Sequence, residues 1–308
     1  MKTAARRQTL EHRRKSLGLQ PAPSAVRAVE IVRFLAGRSG EEFSVADLAR
    51  RLSQSRATCQ AVLLALEPSD WVRRTEGGYT LGAGLIAVGA AAQHGVAIVG
   101  ALRSATAQLY DETGCEVLGY LPAGDQLINV SRVGPNSPLA VTMIEGQAFP
   151  LAPPYGLAYA AWDPAELEKW MARAPNLSDR ARARLKKAAA MVRELGYSVL
   201  LDPVARREFR SSVNDLSEAQ RQLVARALDH HDLVATGDPE LSRIRVSLLS
   251  APVFGAAGAV VALIGIVFGV DQPASIPELA ASLLAATEGL SARLGRVRVP
   301  DPANSIRA

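Results

Sequence analysis

The chain has 308 residues, 48% of them apolar and 21% charged, with a formal net charge of +5 at pH 7. That length suits two domains, each with its own core, and the composition is that of an ordinary globular protein rather than a fibrous or disordered one. Cys59 and Cys115 stand in unrelated contexts and exclude a disulfide framework or a cysteine metal site. The most apolar run, 259–268, is about half the ~20 residues that a membrane span requires, and no apolar stretch of the signal-peptide kind lies near Met1; a cytoplasmic protein with no membrane partner is expected.

Residues 1–23 form a basic arm. Within 1–20 stand Lys2, Arg6, Arg7, Arg13, Arg14 and Lys15 against Glu11, which accounts for the whole positive excess. Such an arm is either a solvated tail or a segment that touches a polyanion. After Pro21 and Pro23, Ser24 reads as the N-cap of a helix through Ala36, with Val26, Val29, Ile31 or Val32 and Leu35 as its apolar face. Ser44 caps a second helix in which Val45, Leu48, Ala49 and Leu52 share one side. The polar turn Ser53-Gln54-Ser55 leads to a third helix, Arg56–Leu66. There Cys59, Val62, Leu63 and Leu66 recur three and four apart and must pack inward. Ala57, Gln60 and Ala61 lie opposite, with Arg56 on the flank. Then Trp71–Thr75 and Tyr79–Leu81 alternate around Glu76-Gly77-Gly78, as in a two-stranded hairpin.

Three helices followed by a small hairpin over 24–82 make a winged helix-turn-helix, a device for laying one helix in the major groove of double-stranded DNA. The expected DNA-binding residues are Ser44, Ser55, Arg56, Ala57, Thr58, Gln60, Ala61, Arg73 and Arg74. Arg suits guanine and phosphate, Gln pairs with adenine, and Thr reaches phosphate or a thymine methyl; Arg73 and Arg74 before the wing would meet phosphate. Ser44 and Ser55 serve first as helix caps. The alternative for this segment is a helical hairpin for protein contacts. Cys59 carries the phase of the core and is expected to be structural rather than redox-active.

From Ala83 to Gln93, and again from Val96 to Thr113, small and apolar residues predict long helices, the first of them a linker over 83–95. The rest, 96–296 with a tail at 297–308, reads as a second α+β domain. Strands are expected at 115–121 and 126–132 around the turn Pro122-Ala123-Gly124-Asp125, and at 246–254 and 260–268 around Gly255–Gly258. Helices are expected at 163–172, 180–195 and 277–294. The stretch 204–245 carries a further helix, 217–229. His230-His231-Asp232 and His94 lack partners at metal-ligand spacing. No phosphate loop, nucleophile elbow or carboxylate pair stands out, so no catalytic residue, metal or cofactor is expected.

With these residues in view, the chain resembles the isocitrate lyase regulator (IclR) family of bacterial transcription factors. The likeness runs from Ser24 to Gly295. It rests on the Thr58 helix, Trp71-Val72 and the wing ending Tyr79-Thr80-Leu81-Gly82. Further along it rests on Gly146 before Phe149-Pro150-Leu151, on Leu195-Gly196-Tyr197-Ser198, on Ser250–Phe254 with Gly258, and on Ala292-Arg293-Leu294-Gly295. The resemblance implies an α+β fold: an N-terminal winged helix-turn-helix, a linker helix used in dimerisation, and a C-terminal GAF-like sensor domain for a small-molecule effector. It also implies a homodimer or tetramer that represses or activates nearby operons. The implied effector pocket is Met143, Phe149, Tyr155, Gly156, Tyr197, Asp202, Leu248 and Ile264; otherwise these side chains only fill a core.

Four departures matter. The stretch 204–245 is an insertion, longer than the family's usual connection. Gln60-Ala61 stand where the family commonly has His-Arg or Tyr-Arg, so base contacts do not carry over there. The stretch Pro150–Leu157 is one residue shorter before its glycine. Ile264 and Ile266 replace a common Ser-x-Ser pair, and with Leu248 they point to a larger, more apolar effector than a two- or three-carbon acid. Two other readings stay open: a constitutive DNA-binding dimer with no effector, and an enzyme in the second domain.

Overall fold

The computed structural model describes residues 21–38, 40–135, 144–174, 177–201, 246–268 and 275–295. Residues 1–20 of the expected basic arm, the tail, Met143, Asp202 and the 204–245 insertion with its histidines lie outside the described residues. Those described through Gly100 form one compact unit and those from Ala101 onward form another.

In the first unit α1 (Pro23–Ala36) begins one residue before the expected cap: Ala22 is the N-cap without a side-chain bond, and Pro23 takes the first helical position, where its missing N–H costs nothing. Its inward face also differs from the expected one. Ile31, Phe34 and Leu35 are buried, whereas Val26 and Val29 are 41% and 56% exposed. Phe34 decides the phase, because its ring meets Phe43 edge-to-face at 4.9 Å, and that turns the two valines to the far side of the helix.

The next two helices, α2 (Val45–Arg51) and α3 (Arg56–Leu66), each start on a serine whose hydroxyl accepts a backbone N–H: Ser44 from Asp47, Ser55 from Thr58. Leu48, Ala49, Cys59, Val62 and Leu63 join the α1 residues in one core. A 3-10 turn, Glu67–Ser69, leads into β1 (Val72–Arg74), which pairs antiparallel with β2 (Tyr79–Leu81). Phe43 pairs with Tyr79 on the outer edge of β2, so the wing gains a third partner that the sequence pattern does not announce. Two helices follow, α4 (Gly84–Gly95) and α5 (Ala97–Thr113). No single described helix is long and apolar enough to cross a membrane.

The second unit is a six-stranded antiparallel sheet in the order β5-β4-β3-β8-β7-β6. Its strands are β3 (Val117–Ala123), β4 (Gln126–Val133), β5 (Ala148–Pro150), β6 (Ser198–Leu201), β7 (Val246–Phe254) and β8 (Val260–Val267). The hairpins β3–β4 and β7–β8 stand around the expected turns, with β3 two residues later than expected and Pro122 and Ala123 inside it; β5 and β6 are too short for the sequence pattern to reveal. On one face lie α5 and α9 (Ile276–Arg293). Leu102 of α5 abuts Gly119, Thr106 is hydrogen-bonded to Ser131 at 2.6 Å, and α9 packs on β7 and β8. The short helix α6 (Leu157–Ala160) packs on β7 and β8, and α8 (Asp179–Leu195) packs on β6; α7 (Pro164–Ala172) packs on α6. Asp163 and Ser178 cap α7 and α8, Ser275 and Glu278 form a reciprocal capping box on α9, and α8 stops at Gly196 with φ 86°, a left-handed position that glycine takes without a Cβ penalty.

Candidate functional site

In the first unit, the sequence of α3 divides it cleanly. Cys59, Val62 and Leu63 face the core, while Arg56, Ala57 and Ala61 are exposed and Thr58 and Gln60 half-buried. Ser55 Oγ accepts the Thr58 N–H at 3.1 Å and lies 2.8 Å from Thr58 Oγ1. The cap ties the two hydroxyls together through one shared hydrogen bond, which leaves one hydroxyl proton and the Thr58 methyl for outside contact. Ser44 is likewise engaged locally: it accepts from Asp47 N at 3.1 Å and donates to the Asp47 carboxylate at 2.6 Å. That hydroxyl first, and then the nearby Arg50 guanidinium, hold the Asp47 carboxyl below its ordinary range. Arg50 is paired with Asp47 at 2.6 Å.

Arg73 and Arg74 are both exposed on β1. Being consecutive in a strand, they point to opposite sides, and they cannot serve one phosphate together. Arg56, Arg73 and Arg74 have no acidic partner among the described residues. Cys59 is fully buried and its thiol donates to Gln54 Oε1 at 3.6 Å. Burial pushes that thiol up from its ordinary value, which suits a core residue rather than a redox trigger. Among the described residues no three His, Cys, Asp or Glu side chains gather as a metal site.

In the second unit, an apolar cavity opens between the sheet and the segment 149–158. Phe149, Tyr155, Gly156 and Leu248 of the expected pocket line it. Tyr197 and Ile264 do not, although both are buried. For Ile264 the reason is strand alternation. Leu263 faces the cavity, and the position of a Cβ on Gly265 would lie 3.3 Å from Ser250 Oγ; Ile264, between them, faces the α5 and α9 side. A one-residue step along a strand moves a side chain to the other face, so the Ile264–Ile266 replacement leaves the cavity lining untouched.

Sequence reasoning missed Tyr120, Leu127, Leu157, Leu200 and Leu263 on the apolar wall, and Ser198 and Ser250 as its polar points. Paired serines in otherwise apolar strands, aligned at Ser198↔Ser250, are the one trace of them in the sequence. Ser198 Oγ lies 3.4 Å from the Ser250 carbonyl, a weak contact. Ser250 Oγ makes no hydrogen bond among the described residues.

Three donors hold the segment over the cavity in place. Trp170 Nε1 donates to the Tyr155 carbonyl at 2.6 Å, Arg173 to Leu151 at 2.9 Å and Arg193 to Ala161 at 2.7 Å. The empty space is ≈ 550 Å³ with the open mouth included, but only ≈ 40 Å³ of it admits the centre of a water molecule. A cavity that takes a benzene ring measures on the order of 150 Å³, so a ring-sized guest requires the walls to part.

Two solved structures match the chain nearly end to end. An IclR transcriptional regulator from Alicyclobacillus acidocaldarius is 20% identical, with a TM-score of 0.63 over 89% of this chain and 99% of its own. An ICLR transcriptional regulator from Silicibacter sp. TM1040 is 19% identical, with a TM-score of 0.64 over 90% and 98%. This is the IclR fold. The same IclR fold is found in an IclR homolog from Microbacterium hydrocarbonoxydans complexed with 4-hydroxybenzoate, 13% identical, with a TM-score of 0.58 over 88% of this chain and 98% of its own. No protein-family model and no curated protein matches the sequence.

Proposed function

We propose that this chain is a DNA-binding transcriptional regulator of the IclR kind, working as a homodimer in the cytoplasm and responsive to a small effector. The observation that carries the reading is α3. It is capped, packed along one side and exposed at Arg56, Ala57 and Ala61, within a fold shared with IclR regulators over nearly the whole chain. Two such helices would enter successive major grooves of a near-palindromic operator, with the helix over 83–95 as linker. Arg73, Arg74 and the basic arm would supply phosphate contacts, which fix position and make affinity fall with salt.

The effector-binding part would be the cavity bounded by Phe149, Tyr155, Gly156 and Leu248. Its lining favours a mainly apolar, ring-sized molecule with one hydroxyl or carbonyl directed at Ser250. The Microbacterium relative, complexed with 4-hydroxybenzoate, supports an aromatic guest in this fold. Effector binding would shift the protein between DNA-binding states only by its differential affinity for them. We read the second unit as a binding module, not an enzyme. The small enclosed volume favours a second reading, in which the unit only holds the dimer together.

Fluorescence anisotropy on duplexes selected from a random pool tests DNA binding; selection of no duplex at low ionic strength would refute it. Calorimetry with aromatic alcohols, glyoxylate and pyruvate tests the effector class. Micromolar binding of either small acid would refute an apolar effector, and no hit alongside intact DNA binding would favour the constitutive reading.

A further inference from the structure

The outward surface of α3 has an unusual composition for a helix read as lying in a DNA groove. At about 100° per residue, Ala57, Ala61 and Leu64 cluster within ~60° of one another, diametrically opposite buried Cys59, Val62 and Leu63. Leu64 is 56% exposed, although it stands on the helix whose other face supplies the unit's core. The part of α3 that projects farthest from the protein therefore offers no hydrogen-bonding side chain. Arg56 and Gln60 lie on one flank of this stripe. On the other lies Thr58, whose hydroxyl is engaged with Ser55 at 2.8 Å and whose methyl is not.

We propose that Leu64, with Ala61 and Ala57, selects operators by contact with thymine C5-methyl groups in the major groove. The inference rests on the reading of the chain as a DNA-binding protein. Charge favours a polyanion over an apolar protein partner here. The helix holds Arg56 and no acidic residue, and the same unit exposes Arg73 and Arg74 without acidic partners among the described residues. The thymine methyl is the one apolar group that a base pair presents in the major groove, and small or apolar side chains recognise it. The spacing also fits. The seven residue steps from Ala57 to Leu64 rise about 10.5 Å, which for a helix running along the duplex axis is roughly three steps of ~3.4 Å. The preferred half-site thus carries methyl groups about three base pairs apart, flanked by a base that Arg56 or Gln60 hydrogen-bonds.

The test uses the full-length protein and the best duplex selected from a random pool, with each thymine replaced singly by deoxyuridine, which removes only the methyl. One or two positions per half-site are expected to lose affinity about fourfold, the worth of one buried methyl. Leu64→Ala is expected to abolish that sensitivity at one position while leaving the others unchanged. Because Leu64 is exposed, the variant is expected to keep the parent's circular dichroism and melting point, and the deoxyuridine series needs no variant at all. Tight binding that is indifferent to every methyl, or Leu64→Ala binding with the full parental sensitivity, overturns the proposal and leaves DNA binding standing. If no duplex is selected, the DNA-binding reading itself fails, and this inference with it.

Discussion

Substitution of Ile264 and Leu263 in turn tests which face of β8 lines the cavity. Both are buried, at 0% and 2% exposure, but they sit on opposite sides of the sheet. Ile264→Ala removes three carbons from the densely packed side under α5 and α9. At ~0.8 kcal/mol per methylene the transfer loss is about 2.4 kcal/mol. A residual void of roughly 70 Å³ at ~24 cal/mol per Å³ adds somewhat under 2 kcal/mol. The loss is therefore about 4 kcal/mol, or roughly 8–16 °C of melting temperature for a unit of this size. Leu263→Ala forfeits a similar transfer energy, but its void of roughly 70 Å³ joins the ≈ 40 Å³ already enclosed, so that an aromatic ring enters with far less parting of the walls than in the parent. A small aromatic such as indole at a hundred times its Kd would then restore about 2.7 kcal/mol, and it would restore nothing to Ile264→Ala. Urea unfolding followed by circular dichroism, to which achiral free indole contributes no signal, reads both losses. If indole rescued Ile264→Ala and not Leu263→Ala, the assignment of faces would be wrong.

Three further predictions concern the first unit. Because Ser44 and Arg50 hold the Asp47 carboxyl below its ordinary value of 3.8, ionised Asp47 stabilises the fold at and above that value, and the contribution disappears as pH falls through the depressed folded value. Melting scans from pH 6 to 3 are expected to show a steeper acid loss for the parent than for Asp47→Asn. Replacement of Arg73 or Arg74 by Ala should weaken binding to all duplexes alike and lower the slope of log K against log salt by about one for each phosphate no longer neutralised; an unchanged slope at both positions excludes them from the interface. The Cys59 thiol, buried and shifted upward, should resist a thiol-specific reagent in the native protein and react on unfolding, and rapid native labelling at that residue would contradict its place in the core.

The helix-turn-helix is legible in the sequence because its determinants are local. A serine cap, three- and four-residue apolar spacing and a polar turn all lie within the segment from Ser44 to Leu66. The end of α8 at Gly196 is readable for the same reason. Errors arise where a partner distant in sequence decides. Val26 and Val29 have the spacing of an inner face on α1, but Phe43 claims Phe34 and turns the helix. The strand β6 buries all four of its residues, so it shows no period-two signal. The cavity face of β8 depends on its register against β7 and β3, which no single segment encodes. The bonds from Trp170, Arg173 and Arg193 end on backbone carbonyls, an acceptor that every residue carries and no sequence pattern reveals.

Phe43 and Tyr79 exchange two backbone hydrogen bonds, at 3.1 and 2.8 Å. Gly78, at φ 145°, leaves no space for a Cβ against the Phe43 carbonyl group. The wing is thereby stitched to the connection between α1 and α2, whose hydrophobic residues share a single core with α3. Among the described residues the wing and the three helices are therefore tied by one core and one backbone pairing. On the proposed reading, a signal that tunes DNA affinity would act by moving this module as a whole, its own contour behaving as a fixed die.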